Sequence, residues 1–312
     1  MFGFVALRAL RRMVEIAAGV GVVIACGART ELLAPEELDA SDVADVSDAK
    51  VEDAFPTIDQ FEPDSPIPTD CPDAGATLVY VITSQNELFS FYPPTLAFSK
   101  IGDIACPDTE GGTPWSMAVD HLGTAYSVFS DGLLWQISTA NASCQSTPYV
   151  PPVENAPFFV FGMGYVGTQL GESLYVADAR FNMDSAGLAT IDTMTFTRTF
   201  IGAFDPELAR CELTGTGDGR LFAYCLPTVG TGSMLAEVDP KTAQVNAENT
   251  LTVGSADDAF AYAFWGGFFW IFTSPGMMTT VTQYDPTSMS ETEVTTMGST
   301  IVGAGVSTCA PQ

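Results

Sequence analysis

Apolar and polar positions along this chain recur with a long period. Five short apolar runs carry an aromatic residue in second place: Val79-Tyr80, Ala125-Tyr126, Leu174-Tyr175, Leu221-Phe222 and Phe269-Trp270. Successive aromatics are 46, 49, 47 and 48 residues apart. Each run is followed by a second strand signal: Leu88 to Phe91, Leu134 to Ile137, Leu188 to Ile191, Leu235 to Val238 and Val281 to Tyr284. Turn chemistry closes the last two as Asp239-Pro240 and Asp285-Pro286. There proline presets φ, and the aspartate carboxylate accepts hydrogen bonds from the amides just ahead.

A third feature precedes each aromatic run, namely a strand poor in bulk. It holds Ala118, then Gly162 and Gly164, then Thr214 and Gly215, then Ala261 and Ala263, then Gly303, Ala304 and Gly305. Glycines suited to hairpin turns follow at Gly123, Gly171, Gly219 and Gly266. The repeated unit is a set of antiparallel strands, and its length matches one four-stranded blade of a β-propeller. Innermost strands crowd around a propeller axis, so small side chains are what that position tolerates. An ordinary β-sandwich with glycine-rich strands does not require three features to recur in one order five times.

The first repeat begins at Leu78 without a small-residue strand, while the chain ends in one, Ile301 to Val306, with no aromatic run behind it. Joining the two completes a blade from both termini and removes an open sheet edge. The expected fold is therefore all-β: a β-propeller of five four-stranded blades closed by N- and C-terminal strands. A sixth blade requires a degenerate strand hidden in Gln145 to Pro157.

Ahead of the repeats, Arg8, Arg11 and Arg12 lead into the apolar stretch Ile16 to Ala25, which ends in Val23-Ile24-Ala25-Cys26. This is a charged region, a short apolar region and a small residue before cysteine. The last four residues resemble the lipobox of Gram-negative bacterial lipoproteins. That resemblance covers the first 26 residues and implies cleavage before Cys26 and diacylglycerol on its sulfur. A membrane-spanning helix needs roughly 20 apolar residues, and Glu15 with Gly19-Val20-Gly21 leaves too short a segment. From Gly27 to Asp70 the chain is acidic with few large apolar groups, which reads as a disordered spacer. Calcium loops need a turn glycine, and Asp39 to Asp48 contains none. A flexible chain of this length has a typical span of about 40 Å. The expected organisation is a signal peptide over 1–25, a lipid-anchored spacer over 26–70 and a propeller over 71–312. Export follows, with anchoring to a bacterial membrane, the outer membrane being expected, facing the periplasm or the surface.

Composition agrees with export. With Cys26 assigned to lipid, Cys71, Cys106, Cys144, Cys211, Cys225 and Cys309 remain, an even set suited to disulfides in an oxidising compartment. Six cysteines allow 15 pairings; on the expected fold Cys71 and Cys309 flank the closing blade, Cys211 and Cys225 lie equidistant from Asp218 in a predicted hairpin, and Cys106 and Cys144 remain. No cysteines are spaced as zinc ligands, and His121 is the single histidine. The formal charge is −27; loss of 1–25, with three Arg and one Glu, deepens it by two. Such a surface repels phosphate backbones, which excludes nucleic acid as a partner.

Residues 71–312 resemble bacterial exported β-propellers in the broad company of the WD40-like and NHL-like superfamilies. Their signatures are missing: no Trp-Asp blade ending, no Tyr-Trp-Thr-Asp run and no Asn-His-Leu triplet. No functional residue carries over on that basis. A Ser-His-Asp arrangement would have to use His121, which lies beside Gly123 in a predicted turn and is expected to be solvated; no Gly-x-Ser-x-Gly elbow occurs. Gly215-Thr216-Gly217-Asp218-Gly219 precedes a strand, so it is not a phosphate loop. Similarity to five-bladed propeller glycoside hydrolases implies paired carboxylates from inner strands as acid and base. Candidates are Asp120, Asp178, Glu212, Asp218, Asp257 and Asp258, of which only Glu212 falls clearly inside an inner strand.

The favoured expectation is a non-catalytic binding or scaffold module of the cell envelope, with the hydrolase as alternative. It is a monomer that touches the membrane only through its lipid and binds an envelope protein or a glycan. Trp265, Phe268 and the Phe158-Phe159-Phe161 run either form a recognition patch or fill space between blades. No cofactor is expected, although acidic groups at the hub offer oxygen ligands for a structural calcium.

Overall fold

The computed structural model describes Cys71 and residues 78–107, 111–181 and 183–312. The segments read as signal peptide and spacer, Cys26 included, lie outside the described residues. Blade 1 contributes β1 (Val79–Thr83), β2 (Glu87–Tyr92) and β3 (Ala97–Asp103). Blade 2 is β4 (Pro114–Val119), β5 (Thr124–Phe129), β6 (Leu134–Ser138) and β7 (Cys144–Ser146). Blade 3 is β8 (Phe161–Thr168), β9 (Gly171–Asp178), β10 (Leu188–Ile191) and β11 (Arg198–Gly202). Blade 4 is β12 (Arg210–Gly215), β13 (Leu221–Leu226), β14 (Thr231–Val238) and β15 (Val245–Ser255). Blade 5 is β16 (Ala259–Trp265), β17 (Phe268–Ser274), β18 (Thr279–Asp285) and β19 (Ser290–Met297). The last strand, β20 (Ile301–Val306), returns to blade 1.

The five sheets are antiparallel throughout, and blade 1 has the order β20-β1-β2-β3. Val79 pairs with Val306 and Val81 with Ala304, so the two ends of the repeat region share one sheet. The chain is thus an all-β propeller of five four-stranded blades. Gln145 and Ser146 belong to β7 and no strand follows before β8, so 145–157 holds no sixth blade.

Inner strands β20, β4, β8, β12 and β16 hold the small residues singled out above. A Cβ built on Gly164 would lie 2.9 Å from the backbone of Leu213 and Thr214, and one on Gly303 would lie 2.8 Å from the Met117 amide. Neighbouring inner strands therefore approach too closely for side chains at these points. Gly123, Gly171, Gly219 and Gly266 have φ of +83°, +125°, +99° and +63°, the left-handed conformation that turns of this type require.

The core is divided into five apolar seams, one between each pair of blades. Tyr80 and Ile82 meet Met117 and Val119 between blades 1 and 2. Tyr126 meets Phe161 and Met163 between blades 2 and 3. Tyr175 meets Leu213 and Leu221 between blades 3 and 4. Phe222 and Tyr224 meet Tyr262 and Phe269 between blades 4 and 5. Trp270 and Phe272 meet Val79 and Phe91 at the closing seam. All five repeating aromatics of the sequence pattern lie in these seams, each on the second strand of its blade. Their burial is what the repeat encodes.

Three disulfides pair all six cysteines of the described region. Cys71 is joined to Cys309, across 238 residues of sequence, at the closing blade. Cys106, after β3, is joined to Cys144 in β7 and links blades 1 and 2. Cys211 and Cys225 face each other directly on β12 and β13.

Two substitutions test this architecture. Gly164→Val should cost about 1–3 kcal/mol through overpacking, whereas Gly276→Val, where a Cβ meets open space, should leave the thermal midpoint nearly unchanged; equal melting of the two would contradict the close inner-strand approach. The double variant Cys71→Ser, Cys309→Ser should lose up to about 5 kcal/mol, the entropy of closing so long a loop, as read by denaturant unfolding without reductant.

Candidate functional site

The inner strands converge on an axial channel. Its mouth, at the strands' N-terminal ends, is lined by Pro114, Trp115, Ala179, Arg210, Glu212, Ala259, Phe260 and Val302 and encloses about 90 Å³. Arg210 fills it. The guanidinium lies 4.8 Å from the Phe260 ring centroid and 5.0 Å from that of Phe181. It donates through Nη2 to the carbonyls of Ala256 at 3.2 Å and Asp258 at 3.0 Å. Burial lowers its pKa from the ordinary arginine value, while Glu212 and Asp258 act in the opposite sense. A desolvated cation over an aromatic face gains about 2 kcal/mol, which favours this plugged arrangement.

Glu212 lies just inside the plug and is 3% exposed. Ser116 Oγ of blade 2 donates to Glu212 Oε2 at 2.6 Å, and the Met163 amide of blade 3 also donates to the carboxyl group. One side chain on blade 4 thus ties three blades together at the axis. Burial pushes its pKa well above the ordinary range, against the lowering effect of these hydrogen bonds and of Arg210.

The other candidate carboxylates sit in local contacts of their own. Asp178, fully buried at the end of β9, is held by Arg180 through contacts of 2.9 to 3.1 Å and accepts the amides of Phe158 and Ala186. Asp120 and Asp218 lie on the opposite face, in the β4–β5 and β12–β13 turns. Asp120 accepts the amides of Leu122 and Thr124, and burial is the main cause that raises its pKa. Asp218 accepts the Thr216 hydroxyl. Asp257 is exposed, and Asp258 is buried with its carbonyl bound by Arg210. Among the described residues no three His, Cys, Asp or Glu side chains gather as a metal site.

His121 corrects the expectation of a solvated turn histidine. Its backbone amide and Nδ1 both lie 2.8 Å from Glu172 Oε1, and Thr308 Oγ1 donates to Glu172 Oε2 at 2.7 Å. Glu172, on the β8–β9 hairpin, therefore links blades 2 and 3 to the segment after β20. Sequence reasoning missed it, because its partners lie 51 and 136 residues away. The aromatics divide as well: Phe158 and Phe161 are buried, and Trp265 and Phe268 pack half-buried against the closing seam. Phe159 is half-buried, and Trp265 and Phe268 also line a surface concavity together with Pro93, Pro94 and Trp270.

A second concavity, of about 560 Å³, lies between blades 3 and 4 on the hairpin-turn face. Val166 to Leu170, Ser173 and Tyr175 form one wall; Gly219, Arg220, Glu237 to Lys241 and Asn246 form the other. Arg220 and Glu237 make a two-point ion pair, Nε to Oε1 at 2.9 Å and Nη2 to Oε2 at 2.9 Å. The Arg220 guanidinium lies 4.8 Å from the Phe222 ring centroid.

No protein-family model matches the chain, and no curated protein matches it. Among solved structures it is similar to one of a nidogen/laminin complex, with 16% identity over 76% of this chain and 81% of that one and a TM-score of 0.44. It is also similar to the extracellular domain of a putative hybrid two-component system from B. thetaiotaomicron, with 13% identity over 71% of this chain and 29% of that one and a TM-score of 0.37. A protein of unknown function from Bacteroides caccae has 14% identity over 71% and 72% of the two chains and a TM-score of 0.37. Function therefore has to be read from the chain's own residues.

The axial site yields a pH prediction. Because the folded chain raises the Glu212 pKa, the folded state holds that proton more tightly than the unfolded one. Its contribution to stability is full below the ordinary glutamate value of about 4.3 and falls as pH rises through the raised folded value. Glu212→Gln, which keeps the shape and cannot ionise, should flatten this dependence and be as stable as the parent or more so near neutrality. Glu212→Ala should cost about 1–3 kcal/mol by stranding the Ser116 and Met163 donors. Urea unfolding between about pH 4.5 and 9 checks both, and an unchanged pH profile in the Gln variant would refute the assignment.

Proposed function

We propose that the protein is an exported β-propeller, lipid-anchored through Cys26, that serves the bacterial envelope as a non-catalytic binding or scaffold module. The observation that carries this reading is the state of the axial channel. Glycosidic hydrolysis needs two carboxyl groups roughly 5–10 Å apart with room for a sugar between them. Here Arg210 occupies the mouth between Phe181 and Phe260, Glu212 is bound by Ser116, and Asp178 is held by Arg180. The ring is built for rigidity at its centre, which leaves recognition to its surface.

Three disulfides suit an oxidising compartment and so support export. The Cys71–Cys309 bond ties the residue nearest the acidic segment to the chain just past β20, at the end where the hairpin turns lie. The opposite, loop face exposes Phe181, Met183, Val229 and Met277.

Cys26→Ser should abolish labelling by a fatty-acid analogue and move a folded propeller into the soluble fraction. A processed Cys26→Ser protein that stayed on the membrane would overturn the anchoring. A screen of the purified protein against glycan and envelope-protein libraries, scored for binding and for turnover, tests the module itself. Turnover of a glycan would replace the binding role with a hydrolytic one.

A further inference from the structure

The 560 Å³ groove between blades 3 and 4 has no part in the axial arrangement, and its dimensions and lining carry a specific reading. We infer that it binds a neutral oligosaccharide of two or three rings, an assignment that rests on the binding-module reading and gives that module a ligand class. Its volume lies within the roughly 300–1,000 Å³ of small-molecule sites.

The groove is pre-organised. The Gly167 amide donates to the Thr216 carbonyl at 2.8 Å, which fixes the end of β8 against blade 4. On the opposite wall the Arg220 and Glu237 side chains, 17% and 6% exposed, hold each other in a fork. A ligand meeting such a wall does not have to order it first, and that lowers the entropic cost of binding.

Charge selects against ions. Arg220 and Lys241 are balanced by Glu237 and Asp239 along the lining, while the chain as a whole carries −27. An anion gains no net local attraction and meets a repulsive field. A polyhydroxyl ligand suits the balance, because each hydroxyl both donates and accepts. A carboxylate has about four lone-pair sites, and the Glu237 pair with Arg220 uses two of them. Ser173 and Asn246 add short polar groups, and the fully exposed Leu170 at the hairpin tip offers an apolar lip for the C–H face of a ring.

The same geometry disfavours a peptide. Docking of an extended peptide by strand addition needs an open sheet edge, whereas the β8–β9, β12–β13 and β14–β15 turns line this groove.

The test uses the purified full chain, titrated by calorimetry and ligand-detected NMR with neutral di- and trisaccharides of glucose, mannose, galactose and N-acetylglucosamine. At least one series should bind. Ser173→Trp, which fills the groove, should weaken binding tenfold or more. Leu170→Ser, at a fully exposed position that cannot disturb folding, should weaken it several-fold with an unchanged melting curve. Saccharide binding that neither variant alters would place the site elsewhere and overturn the groove assignment while leaving the binding module intact. Preferential binding of sialylated or sulfated glycans would overturn the neutral-ligand assignment. Capture of an envelope protein with no saccharide bound would also overturn it, again without touching the module, whereas no ligand in either library would overturn both.

Discussion

Everything in this structure depends on how closely five inner strands approach one axis. At Gly164 and Gly303 the backbone of the next blade occupies the space a Cβ would need, so the ring can close at five only where side chains are absent. That closeness has two consequences. It pushes bulky side chains outward into the seams, where the tyrosines, phenylalanines and tryptophans are buried. With Arg210 and Glu212 among its walls, the axial space that remains free is about 90 Å³, too small for a sugar.

Closure makes the ring one body. Without its last strand the propeller would expose the β1 edge of blade 1, a row of unpaired backbone groups. Here β20 covers the inner edge of blade 1, the Cys71–Cys309 bond fastens the segment that follows, and Glu172 grips Thr308 at the same point. Cys106–Cys144 secures the neighbouring seam between blades 1 and 2. Loop closure over more than two hundred residues carries a large entropic cost, and the Cys71–Cys309 bond spans that loop.

The interior polar groups follow from burial. A carboxyl group at the axis of a strongly acidic protein is favoured only in its neutral form. Burial raises the Glu212 pKa accordingly, and hydrogen bonds from two other blades satisfy its oxygens. Arg210 keeps its charge under desolvation because two aromatic faces and two carbonyls replace water. The paired charges of Arg220 and Glu237 repeat this logic nearer the surface. There the surrounding turns leave room for a ligand.

The sequence by itself determined the blades. The spacing of aromatic runs, the small-residue strands, the turn glycines and the unmatched strand at each end are local signals of period and bulk, and together they specify five blades, their closure and the pairing of Cys71 with Cys309. Glu212 was legible as an inner-strand carboxylate because its strand was, whereas its burial was not. What the tertiary structure alone decided is which side chains meet across blades. Ser116 reaches Glu212 across 96 residues, and His121 reaches Glu172 across 51. The plug at the channel mouth and the groove walls are likewise assembled from separate blades. Periodicity reports the environment of a residue within its own blade. It contains no term for the angle at which one blade sets its side chains against the next, and only closing the ring fixes that angle.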